Sequence, residues 1–91
     1  MPEVNGNPSE MRAFAAHLAK FSQNLRELTS ETRGRMGHLN ETWRDQENAR
    51  FEEKYTAAIK PLDHLVSTLD EYRTFLIRKA EALEQYLNTR L

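Results

Sequence analysis

The sequence contains no cysteine. That absence excludes a disulfide framework, a zinc finger and a thiol nucleophile. Glycine and proline number only three each, so few tight turns can be built. Neither sign of charge dominates: 13 Lys plus Arg stand against 14 Asp plus Glu, for a formal net charge of -1 at pH 7. Nucleic-acid binding, which ordinarily draws on a clear basic excess, has no electrostatic footprint here. No apolar run approaches the ~18 residues that a membrane span requires. The opening stretch, Met-Pro-Glu-Val-Asn-Gly-Asn, lacks the basic and apolar regions of a cleaved secretory signal, so the expected location is the cytoplasm as synthesised. What remains is 91 residues, one domain at most, and a chain of this size hides only roughly 60–65% of its unfolded surface.

Two long helical patterns fill almost all of it. Residues 1–7 read as a flexible N-terminal arm, and 8–91 as a helical hairpin. Asn7 is a helix cap, Pro8 suits the first helical position, and Glu10 stands three after the cap. The apolar residues Met11, Phe14, Leu18, Phe21, Leu25 and Leu28 then recur at alternating steps of three and four, and Leu39 extends the series. That spacing is a heptad seam and predicts helix 1 over about 8–40. Gly34 and Gly37 weaken its last turns by ~1 kcal/mol each, which leaves the end open between Thr32 and Thr42. Residues 41–45 read as the turn, with Asp45 as the cap of the next helix. Helix 2 follows over about 46–88, carrying Phe51, Tyr55, Leu62, Leu65, Leu69, Tyr72, Leu76, Leu83 and Leu87 at heptad-like spacing. Pro61 removes one backbone hydrogen bond, so a kink near it is expected; the unbroken apolar register favours one kinked helix over two separate ones.

The fold class is therefore all-α: an antiparallel two-helix hairpin. The apolar stripe of helix 2 is too wide for one partner helix to cover, and the extra length of helix 2 is expected to leave Leu76, Leu83, Tyr86 and Leu87 overhanging. An exposed stripe of that kind marks an interface. The simplest closure is a dimer that completes a four-helix bundle, either with itself or with a related hairpin.

Catalytic patterns are missing. The positions three and four before His17, His38 and His64 hold no carboxylate, so no bundle-type metal pair forms within a helix. No glycine-rich phosphate loop and no nucleophile elbow occur. The reading is a non-enzyme with no cofactor and no metal, whose partners are proteins rather than nucleic acid.

The bend carries the informative motif, Leu39-Asn40-Glu41-Thr42-Trp43-Arg44-Asp45-Gln46, with a lone Trp between two long heptad helices. In length, helix order and Trp position it resembles the WXG100 (ESAT-6-like) superfamily. That resemblance implies a helical hairpin with Trp-X-Gly at the bend, dimerisation into a four-helix bundle, and a link to type VII secretion, with a secretion component or larger protein as a further partner and export without a cleaved signal. Asp45 stands where the family has Gly, giving the bend motif Trp43, Arg44, Asp45. The Tyr-X-X-X-Asp/Glu export signal of mycobacterial members is absent: Ile59, Leu76 and Arg90 stand four residues after Tyr55, Tyr72 and Tyr86. The alternative function is an intracellular adaptor or chaperone hairpin that binds another protein without being secreted. Trp43 reads first as a staple that fixes the bend and second as part of a recognition surface.

Overall fold

A computed structural model describes residues 6–89. Two α-helices account for nearly all of them: α1, Pro8–Thr42, and α2, Gln46–Thr89. Most of the expected N-terminal arm, residues 1–5, lies outside the described residues, as do Arg90 and Leu91. The α1 start is set by Asn7, whose side-chain oxygen accepts from the N–H groups of Ser9 at 2.9 Å and Glu10 at 3.3 Å. Gly34 and Gly37 do not end α1, which runs on to Thr42. α2 passes through Pro61 without interruption. Both Pro61 and Ala57 are exposed, so the carbonyl that loses its N–H donor faces water.

The hairpin is a rod with extents of 70 × 20 × 12 Å and a radius of gyration of 20.7 Å. A compact chain of this length has a radius near 12 Å. The helices pair along one thin seam. In α1 the seam consists of two rows at heptad spacing: Met11, Leu18 and Leu25, and beside them Ala15, Ser22, Thr29 and Met36. In α2 the corresponding rows are Tyr55, Leu62, Leu69, Leu76 and Leu83, and Ile59, Val66, Arg73 and Ala80. Ala15, Leu18, Ser22, Thr29, Met36, Val66, Leu69, Ala80 and Leu83 are buried. Small side chains at Ala15, Ser22 and Ala80 allow the two backbones to approach closely. Thr29 satisfies its buried hydroxyl by donating to the carbonyls of Leu25 and Arg26.

The seam differs from the sequence reading by one heptad row in each helix. Phe14, Phe21 and Leu28 sit outside it at 53, 45 and 59% exposure. Phe51, Leu65, Tyr72 and Leu87 are likewise exposed, while Met11, Leu25, Tyr55, Leu62 and Leu76 are half-buried. The expected overhang of Leu76 and Leu83 is corrected too. Arg12 near the start of α1 pairs with Glu84, and Leu83 is buried. The backbone at Gly6 crosses that end closely enough that a Cβ there would stand 2.7 Å from Met11 Cε and 3.3 Å from Leu83 Cδ1. With its φ of +151°, only glycine suits the position. The surplus length of α2 lies at the bend instead: Arg33 is level with Asp63, so the first turns of α2 reach past Thr42.

Candidate functional site

One edge of the seam is closed by charge. Arg12 grips Glu84 through two bonds, Nε to Oε2 at 2.9 Å and Nη2 to Oε1 at 2.7 Å. Arg26 pairs with Asp70, whose other oxygen accepts from the Ser22 hydroxyl at 3.2 Å. Arg33 donates to Asp63 at 2.6 Å. Arg12, Arg26 and Arg33 lie on a single heptad row of α1, and Asp63, Asp70 and Glu84 on a single heptad row of α2. The result is a ladder along one edge. Exposed ion pairs contribute little to stability individually, but a row of them fixes helix register.

The ladder determines where the large apolar residues lie. In α1 the arginine row borders the seam on one side and the Phe14-Phe21-Leu28 row borders it on the other. In α2 the acidic row borders one side and Phe51-Ala58-Leu65-Tyr72, continued by Tyr86, borders the other. Since arginines meet carboxylates on one edge, both apolar rows share the opposite edge. The hairpin thus has a charged, closed face and an apolar, open face.

The Arg12 guanidinium holds the Glu84 carboxyl below its ordinary pKa of 4.5 through a side-chain hydrogen bond, opposed by partial desolvation. A carboxylate with a depressed folded-state pKa supplies its stability above the ordinary value and loses it as the pH falls through the folded one. Glu84→Gln is therefore expected to flatten the fall in thermal midpoint on acidification below about pH 4.5, as read by circular dichroism melts.

The bend is held by four polar contacts and one ring contact. Trp43 N–H donates to the Leu39 carbonyl at 3.0 Å and closes α1. Asp45 caps α2, accepting from Asn48 N–H at 3.0 Å through its side chain and from Ala49 N–H at 3.4 Å through its carbonyl. The buried Asn48 side chain donates to the Trp43 carbonyl. The indole, half-buried, lies 5.8 Å from the Phe51 ring at a 39° tilt. Arg44 is exposed at the tip. Sequence reasoning missed Asn48, which ties both sides of the bend together. The Asp45-to-Asn48 spacing of a helix cap signals only the Asn48 backbone N–H, not the side chain that reaches the Trp43 carbonyl. Because the indole is only half-buried, Trp43→Ala is expected to cost about 2 kcal/mol in denaturant unfolding, below the ~3–5 kcal/mol of a fully buried aromatic.

Among the described residues, no group of three or more His, Cys, Asp or Glu is placed to hold a metal ion. His17 lies against Phe14 with ring centroids 6.0 Å apart, and His38 Nδ1 lies 3.4 Å from Glu41. No helix among the described residues is long and apolar enough to cross a membrane.

Comparison with known proteins matches this architecture. The chain is 24% identical over 85 residues to the "Type VII secretion system extracellular protein A" of Staphylococcus aureus strain USA300, covering 93% of this chain and 88% of the relative. The same protein from strains Newman and NCTC 8325 matches equally. The model for the family described as "Proteins of 100 residues with WXG" matches residues 3–86, taking in both helices and the Trp43 bend. A two-helix hairpin with its lone tryptophan at the turn, matched over nearly its whole length, belongs to the WXG100 family.

Proposed function

We propose that this protein is a non-enzymatic interaction module in which two copies close their open faces on each other to form a four-helix bundle, and that the bundle is exported by a type VII secretion machine. The open apolar face carries the reading. The chain exposes 7296 Å², whereas a globular monomer of its mass exposes roughly 5,500 Å². Covering that surplus of about 1,800 Å² on each of two chains would bury roughly 3,600 Å² in total, within the range of obligate homodimer interfaces. Phe14, Phe21, Leu28, Leu65 and Tyr72 supply the aromatic and aliphatic anchors such an interface needs. Export is supported by family membership and by the extracellular relative.

The test is direct: tagged protein is followed in culture medium and in cytosol, with and without the host's secretion ATPase. Protein in the medium that disappears when the ATPase is removed supports export. Full retention in the cytosol overturns it and favours the second reading, an adaptor or chaperone hairpin that binds another protein without leaving the cell. Two sequence features favour that second reading: Asp45 at the family's glycine position and the missing Tyr-X-X-X-Asp/Glu pattern.

A further inference from the structure

The open face has an outer margin on each helix, and the charges there follow a definite order. Residues one step before the open apolar rows are turned about 100° away from the seam. That places Lys20 and Glu27 along the outer margin of α1, and Glu71 and Arg78 along that of α2. All four are exposed, and none has an ion-pair partner among the described residues. The ladder fixes their heights along the rod, since Arg12 is level with Glu84, Arg26 with Asp70 and Arg33 with Asp63. By the same count Arg78 is level with Leu18 and Glu71 with Leu25. Lys20 and Arg78 thus stand at nearly one height, and Glu27 and Glu71 at another.

We propose that these four charges orient a second copy of this chain so that its bend lies at the opposite end of the rod. This orientation rests on the closure proposed above and specifies its geometry. Two arrangements join identical open faces about a two-fold axis. With the bends together, α1 lies on α2 of the second copy. The margins then set Lys20 beside Arg78 and Glu27 beside Glu71, like against like. With the bends at opposite ends, each helix lies antiparallel on its own counterpart. Lys20 then meets Glu27 of the second copy, and Glu71 meets Arg78, each twice by symmetry. Flanking charges of this kind set partner and direction in coiled coils. A single axis serves both helices. The midpoint between Lys20 and Glu27 falls between Gln23 and Asn24, and that between Glu71 and Arg78 falls between Thr74 and Phe75, level with Phe21 and Ser22. The two midpoints differ by about 3 Å along the rod, less than the reach of a lysine side chain. An axis there passes among Phe21, Tyr72 and Phe75, exposed by 45, 57 and 67%, so bare rings of both copies gather at the centre.

The test measures the dissociation constant of the full chain by sedimentation at low ionic strength. Glu27→Lys and Lys20→Glu, each alone, are expected to weaken pairing about tenfold, because each turns two attractions into two repulsions. The double variant, Lys20→Glu with Glu27→Lys, is expected to recover it. With the bends together, each single reversal would instead tighten the dimer by setting opposite charges against Glu71 or Arg78. Asn24→Cys, in a chain with no other cysteine, gives a second readout: a short bis-maleimide is expected to join two copies through it. Tightened or unchanged pairing in the single variants, no recovery in the double variant, or no cross-link in a protein of dimer mass overturns the proposed direction and leaves closure standing. A wild-type protein of monomer mass overturns both.

Discussion

If two copies pair as proposed, replacing Phe21 and Leu28 together by glutamate is expected to convert that dimer to a monomer that keeps its helical signal. The two residues lie seven apart on the open face of α1, exposed by 45 and 59% in the single chain. Both lie on the row beside the buried seam and neither is part of the buried core, so the hairpin loses little core contact. In a bundle, each substitution removes apolar burial of about 1.5–3 kcal/mol and leaves a carboxylate to be desolvated without a partner. A combined loss of at least about 4 kcal/mol corresponds to a dissociation constant weakened roughly a thousandfold. Light scattering on a sizing column at micromolar concentration reads the mass, and circular dichroism reads the helix. The companion variant Arg26→Gln, on the charged edge, is expected to leave the mass unchanged.

The second large effect falls on the seam itself. Leu69→Ala is expected to destabilise the protein by about 3 kcal/mol, because Leu69 is 8% exposed and its neighbours cannot fully collapse into the gap. Phe75→Ala, at a side chain 67% exposed, should cost well under that, about 1 kcal/mol or less. Urea unfolding at a fixed protein concentration makes the comparison, since association would otherwise shift the midpoint by mass action. Equal costs for the two variants would mean that the seam does not run through Leu69.

The contrast between those variants shows how much could be read from the chain. The three-four spacing of apolar residues revealed both helices, their antiparallel pairing and the turn at Trp43-Arg44-Asp45. It did not reveal which of two adjacent heptad rows faces inward. Apolar size favoured Phe14, Phe21 and Leu28, yet the structure buries Ala15, Ser22 and Thr29. A close helix pair selects small side chains at its contact, and bulky rings then remain for another partner. The deciding signal was in the charges: arginines at 12, 26 and 33 and acids at 63, 70 and 84 repeat at multiples of seven, and opposite charges on facing rows name the edge where the helices meet. Hydrophobic periodicity alone carries no such information, because each row of a wide apolar stripe satisfies it equally.

The bend was legible only in part. Asp45 as a cap follows from residue type, but the role of Asn48, buried and bonded to the Trp43 carbonyl, depends on how the chain folds back on itself.

Sedimentation equilibrium of the wild-type protein at micromolar concentration decides whether this chain is half of a bundle. A mass of twice 10.7 kDa is expected; a single species at 10.7 kDa would contradict closure by a second copy.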